Sequence, residues 1–219
     1  MVVLVALLAM GPAPTAQAAS AKPSVYPPQA HPYGHTYSQW EVRWVQWLMA
    51  IPASKSPDPD TTGKYCAEDQ SGPVWYLPSD GNGGTIVRTC TIPTGKAVLI
   101  EVAITWCDTA EGDGNTFADL SSCAKGYADG TTQADFTLDG VHLTNLLTRY
   151  RFATSLFTFK YLADSLLQVS GPGVTKAVAN GLFVILAPLA AGQHTVEAQG
   201  VNASLGWSGD VTYHLTVRG

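Results

Sequence analysis

Charge is scarce in this chain: Asp, Glu, Lys and Arg make up only 13% of 219 residues, whereas 46% are hydrophobic. That balance excludes a disordered chain and leaves ample apolar material for a core. A basic stripe is also missing. Glu101 to Asp139 holds eight acidic residues and one basic residue, Lys125, and the whole chain carries −5. Neither part can track a phosphate backbone, so nucleic acid is excluded as a partner. No C-x-x-C pair occurs, which argues against a zinc site and against thioredoxin-like redox chemistry. The five histidines show no H-E-x-x-H or other metal spacing. Beyond the first 20 residues no stretch reaches the ~18 consecutive apolar residues of a membrane helix, and no internal repeat is visible.

The chain opens without a charge. Val2 to Met10 is an apolar run of signal-peptide length, closed by Gly11-Pro12, and Ala16-Gln17-Ala18 has the small-x-small form of a cleavage site. The expectation is an export signal over 1–18 and a secreted protein, extracellular or periplasmic. In that compartment the four cysteines, Cys66, Cys90, Cys107 and Cys123, read as two disulfides with three possible connectivities. Local loops favour Cys66–Cys90 and Cys107–Cys123, each contributing about 3 kcal/mol.

Residues 19–35 are proline-rich and read as an extended arm. Thr36, with Gln39 three positions on, then offers a capping box. Tyr37, Trp40, Trp44, Trp47, Leu48 and Ile51 form a helical stripe that Pro52 terminates. Glu41, Arg43 and Gln46 fall on the polar side of this helix, where a ligand or partner would be met. From residue 73 the period becomes two. Segments 73–77, 84–93, 96–106, 150–154, 155–162, 177–189, 192–200 and 210–219 read as strands. Asp139-Gly140 within 134–143 is a short hairpin signal. The 96–106 strand is apolar on both faces, which predicts a central strand covered on both sides. These features predict one mainly β domain over 36–219, an antiparallel β-sandwich with one amphipathic N-terminal helix packed on it.

Several motifs in order carry a resemblance. Y-x-x-W…W-x-Q-W-x-x-x-I-P at 37–52, CAEDQSGPVWYL at 66–77, RTCTIPTGKAVLIEV at 88–102 and LAAGQHTVEAQG…DVTYHLTV at 189–217 resemble a group of exported bacterial proteins of unknown function. The resemblance implies export and a β-rich fold, and no catalytic residues come with it. The last two strands also resemble the closing hairpin of immunoglobulin-like and PKD-like modules, an analogy of fold alone.

Three places could carry chemistry. Glu101 is a carboxylate among apolar strand residues, so it needs a partner or a raised pKa, and the latter makes a general acid. Arg88, on the preceding strand, is the expected partner. The loop holding Asp108, Glu111, Asp113, Asn115 and Asp119 offers the oxygen ligands that calcium takes. It lacks an EF-hand glycine and a closing bidentate glutamate, so a solvated acidic loop competes with that reading. The three tryptophans, finally, are either core or a stacking platform. EDQSGP at 68–73 resembles a serine-protease loop, but no base identifies itself for Ser71.

Three functions follow, the last of them a calcium-stabilised structural protein. The first is a non-catalytic secreted module that binds an extracellular ligand, a carbohydrate or a cell-envelope component. The second is a polysaccharide hydrolase or lyase using Glu101 and a second carboxylate, with Asp108, Glu111 and Glu197 as candidates.

Overall fold

The computed structural model describes residues 24–167, 169 and 173–219, so the expected export signal at 1–18 lies outside the described residues. Helix α1 (Tyr37–Ala50) starts where the sequence signals it: the Thr36 hydroxyl accepts from the Gln39 N–H at 3.2 Å, and Gln39 Oε1 accepts from the Thr36 N–H at 2.9 Å. It stops because Pro52 drives Ile51 to extended backbone. Trp40, Trp44 and Trp47 are all buried. Trp40 and Trp47 donate their indole N–H groups to the carbonyls of Pro32 and Glu68. The Trp44 ring meets Phe183 edge-on at 5.5 Å, and Trp47 packs on Tyr76 at 5.3 Å. These indoles form core rather than an exposed platform.

Ten strands follow: β1 (Val74–Leu77), β2 (Gly84–Pro93), β3 (Ala97–Asp108), β4 (Thr131–Leu138), β5 (Val141–His142), β6 (Arg151–Ala153), β7 (Phe157–Tyr161), β8 (Gly173–Leu186), β9 (Gly192–Asn202) and β10 (Trp207–Arg218). One sheet runs β1-β3-β8-β6, with β7 also paired to β8, and the other runs β2-β10-β9-β4-β5. Both inner faces feed one continuous core. The expected all-antiparallel arrangement is corrected here: β1 pairs β3 in parallel, and β2 pairs β10 in parallel. The reason is connectivity. The chain leaves β1 for β2 in the opposite sheet before returning as β3, and such a crossing lets strands of one sheet run the same way. Asp139 and Gly140, at φ 49° and 76°, make the two-residue turn joining β4 to β5.

The described part of the expected arm, 24–35, is not extended throughout, since a 3-10 turn occupies Pro32–Gly34, and its start adds to a sheet. Tyr26 N–H donates to Ile185 O and Ala187 N–H to Ser24 O, which lays residues 24–26 along the end of β8. The Tyr37 hydroxyl clamps this contact by donating to Tyr26 O at 2.6 Å.

A second helix, α2 (Phe117–Ala128), stands where the sequence reads as an acidic loop. Thr116 and Asp119 form its capping box, and Leu120 and Ala124 pack on Cys107 and Val178. A short α3 (Leu146–Arg149) precedes β6. Cys107–Cys123 ties β3 to α2, and Cys66–Cys90 ties the 51–72 loop to β2, the two pairings the local loops favour. Among the described residues, no helix is long and apolar enough to cross a membrane.

Candidate ligand cavity

The site begins with an irregularity in β3. Glu101 pairs with Phe183 and Ala103 with Leu182, so Val102 is an extra residue, a β-bulge. Cross-strand partners share a face, which puts Glu101 beside Phe183, the residue that receives the Trp44 ring. Glu101 is buried, and Ser79 supplies both of its hydrogen bonds: backbone N–H at 2.8 Å and hydroxyl at 2.6 Å, each to Oε2. Burial pushes the Glu101 carboxyl up to about 7, with the Ser79 bonds holding it from rising further.

Glu101 lines a cavity of about 540 Å³, within the ~300–1,000 Å³ range of small-molecule sites. Its wall is drawn from α1 (Trp44, Leu48), from β3 and β8 (Ala103, Leu182) and from the opposite sheet (Trp207). Gly81, Asn82 and Leu205 are exposed and mark its mouth, whereas Trp44, Asp58, Ser79, Glu101 and Ala103 are buried parts of its lining. Asp58 is 8% exposed, and its Oδ1 accepts from the Gly81 N–H at 3.2 Å. Burial pushes its carboxyl up to about 6, against the pull of the nearby Arg88 charge. Two carboxylates thus reach one cavity through the same turn, Ser79–Gly81.

Arg88 does not pair with Glu101, which corrects the expectation. It is buried, but its guanidinium donates to the carbonyls of Asp58, Asp60, Pro78 and Ser79 and to the Tyr213 hydroxyl, never to a carboxylate. β2 belongs to the other sheet, and from there the fork reaches the turn that follows β1 rather than Glu101 itself.

Glu41 is also not where the helix stripe puts it. It is fully buried, and neither carboxylate oxygen has a hydrogen-bond partner among the described residues. Helix α1 is covered over Tyr37, Glu41, Trp44, Val45 and Leu48, a face wider than the aromatic stripe. Burial drives the Glu41 carboxyl well above the ordinary range, and the neighbouring Glu101 charge adds to it. Arg43 and Gln46 remain exposed. Arg43 lies over the Trp40 ring at 5.6 Å, and Gln46 donates to Thr158 O at 2.8 Å.

Of the five residues expected to hold calcium, Asp108, Asp113 and Asp119 spend carboxylate oxygens on hydrogen bonds within the chain. Asp108 is buried: Oδ1 accepts from the N–H groups of Ala110 and Glu111 and from the Thr175 hydroxyl, and Oδ2 accepts from the Tyr161 hydroxyl. Asp113 accepts from the Asp108 N–H, and Asp119 accepts from the N–H groups of Asn115 and Thr116. Glu111 has its carboxyl raised by partial burial and by the charges of Asp108 and Asp113. Cys107, Asp113 and Cys123 come within 4.8 Å of one another, but both sulfurs are spent in the disulfide. Asp108 ends β3, roughly 20 Å along the strand from Glu101, and Glu111 lies in the turn that follows. Glu197 faces solvent on β9. The carboxylate that shares the cavity with Glu101 is Asp58.

Asp58, Ser79 and Trp207 are site residues the sequence does not single out. Asp58 and Ser79 lie in aperiodic loops and carry no pattern. Trp207 opens β10, and its ring lies over Gly200 and Gly209, where a Cβ would meet it at 2.9 and 2.6 Å; that proximity exists only in the folded sheet.

No family model and no curated protein matches the chain. Among solved structures, the chain is similar to that of PbICP-C in complex with falcipain-2, at 15% identity and a TM-score of 0.26, over 67% of this chain and 99% of that one. It is also similar to the solution structure of amebosin, at 17% identity and a TM-score of 0.21, over 67% and 99% respectively. Likenesses of this depth carry no argument about fold or function.

Proposed function

We propose that this is an exported ligand-binding module, a β-sandwich whose ligand occupies the cavity between α1, β3, β8 and Trp207. One observation carries the reading: an open-mouthed cavity of about 540 Å³ with a largely apolar wall and two buried carboxylates, Asp58 and Glu101, in its lining. Such a site suits a small molecule with an apolar body and a polar head, because the wall rewards buried carbon and the head must answer the carboxylates. Two disulfides fit an oxidising compartment and hence export, as does the resemblance to exported bacterial proteins. Calcium at the Asp108 loop has no support from the geometry, since the Asp108, Asp113 and Asp119 carboxylates already serve as backbone caps. The test is a thermal-shift screen of amphipathic molecules, sugars and envelope fragments on wild type and on Ala103→Phe, which fills the cavity. A hit that raises the wild-type Tm and leaves Ala103→Phe unmoved supports the site. Equal shifts in both proteins, or no hit at all, dismiss it.

A second reading keeps the same residues. Glu101, held near 7, and Asp58, held near 6, are two carboxyl groups of unequal environment on one cavity, the arrangement an acid and a base require. Release of reducing ends from a polysaccharide panel by wild type, and its loss in Glu101→Gln, would move the protein to the hydrolases.

A further inference from the structure

We propose that the ligand's head carries an ammonium group beside an oxygen acceptor, the ammonium seated between Asp58 and Glu101 and the oxygen on the Trp44 indole N–H. The inference rests on the cavity being the ligand site, and four observations carry it further than that reading goes.

First, each carboxylate spends one oxygen on the Ser79–Gly81 turn and keeps the other. Glu101 Oε2 takes both Ser79 bonds and Asp58 Oδ1 takes the Gly81 N–H, so Glu101 Oε1 and Asp58 Oδ2 accept no hydrogen bond from the described residues. Second, no Lys or Arg among the described residues donates to either carboxylate. Arg88, the nearest, is consumed by carbonyls and a hydroxyl. Arg151, on the cavity wall, gives Nε to Asn180 Oδ1 at 2.7 Å and Nη2 to Asp129 Oδ1 at 2.8 Å. Third, Glu41 is fully buried with no hydrogen-bond partner among the described residues, and the Glu101 charge acts on it, which adds to the cost of ionising this region. A cationic head adds to the pull of the Arg88 charge on Glu101 and Asp58 and can bond their free oxygens, whereas a head without positive charge leaves that pull as it stands.

The fourth observation points to the oxygen. Trp44 is 1% exposed, lines the cavity, and its Nε1–H has no hydrogen-bond partner among the described residues. A buried indole N–H ordinarily finds an acceptor, whereas Trp40 and Trp47 on the same helix have theirs in carbonyls. The Trp44 ring packs on Phe183, the cross-strand partner of Glu101, so the residue with the unused donor and the residue with the free carboxylate oxygen are neighbours in the lining of one cavity. An ammonium and an oxygen on adjacent carbons, attached to an apolar body, answer the free oxygens of Glu101 and Asp58 and the Trp44 N–H together. The chemical class is an amphipathic amino alcohol.

The test uses three probes of equal chain length on the wild-type protein at pH 8: 2-amino-1-octanol, 1,2-octanediol and octanoate, followed by tryptophan fluorescence and calorimetry. The amino alcohol is expected to bind about tenfold tighter than the diol, since a charge-assisted bond replaces a neutral one, and octanoate is expected to bind weakest. In Asp58→Asn and in Glu101→Gln, each checked for a cooperative thermal transition, the amine-over-diol preference should fall to about threefold or less. Trp44→Phe should weaken the amino alcohol and the diol alike. Equal wild-type affinity for amine and diol overturns the ammonium while leaving the cavity as the ligand site. A preference that survives in both carboxylate variants overturns it as well. If none of the three binds wild type, the cavity reading falls together with the inference. Should one variant fail to fold, the wild-type comparison and the other variant still decide.

Discussion

Ser79 bonds Glu101 twice through one oxygen, with its backbone N–H at 2.8 Å and its hydroxyl at 2.6 Å on Oε2. Those bonds favour the charged carboxylate, yet burial wins and the group stands near 7 against an ordinary 4.5. Between those values the folded chain holds a proton that the unfolded chain has lost. The contribution of Glu101 to stability is therefore complete below pH 4.5 and drains away as pH rises through about 7. The loss is on the order of 3 kcal/mol. Urea unfolding of wild type and Glu101→Gln from pH 4 to pH 8 isolates it: wild type should lose stability relative to the variant across that span. A difference that is flat or opposite in slope would sink the raised pKa. Asp58→Asn should behave alike over a lower window, because Asp58 moves from 3.8 to about 6.

Glu41 makes a sharper case, because nothing in the described structure bonds to it. An unsatisfied buried polar group costs about 1–3 kcal/mol, and more if charged. Glu41→Met, close in volume and fully apolar, should raise the Tm at pH 7. The gain should shrink as pH falls and the wild-type carboxyl becomes neutral in both states. A lower Tm in the variant at every pH would show that the carboxylate has a stabilising partner.

How much of this was legible beforehand depends on the range of the signal. Thr36 and Gln39, Asp139-Gly140 and the alternating runs are local patterns, and each became the cap, turn or strand it implies. Helix α2 was signalled too, by Thr116 and Asp119 three residues apart, but its buried side is Leu120, Ala124 and Ala128, too small to stand out among acidic neighbours. Glu101 could be singled out because a charge interrupts an apolar strand. Asp58 could not, because its burial is imposed by the folded 51–72 loop and not by any periodicity. The position of Glu41 was misjudged since three large indoles drew the helix face too narrowly. The parallel pairings of β1 with β3 and β2 with β10 depend on which sheet each strand joins, and alternation alone does not encode that.

Arg88 holds the turn that presents both carboxylates, so its replacement should be costly even by another cation. Lysine has three donors on a point charge and cannot reproduce a planar fork that reaches four carbonyls and the Tyr213 hydroxyl. Two or more buried acceptors would be orphaned in Arg88→Lys, a loss of about 3 kcal/mol or more. Guanidinium titration should show a lower midpoint with an unchanged m-value. A near-wild-type midpoint would mean that the turn is held by other contacts. Glu101 and Asp58 would stay ionised less readily in a variant that lost the positive charge altogether, such as Arg88→Met, since Arg88 lowers both.

The packing of Trp207 against glycine separates a steric requirement from mere permissiveness. A Cβ at Gly200 would lie 2.8 Å from the carbonyl oxygen of Val102, the bulge residue of the opposite sheet, and 2.9 Å from the Trp207 ring. Rotation can displace the ring, but the Val102 carbonyl belongs to the backbone and yields only if the sheets part. Gly200→Ala is therefore expected to cost about 1–3 kcal/mol. It should also shift the tryptophan emission and weaken any cavity ligand, because Trp207 is part of the wall. Gly126, in α2, is the matched control: a Cβ there meets nothing within 4 Å. Gly126→Ala should stabilise the protein by about 0.5–1 kcal/mol through helix propensity and the unfolded chain's lost freedom. Opposite signs for the two Gly→Ala changes, read from the same urea titration, confirm the close approach of the sheets at the bulge; equal signs refute it.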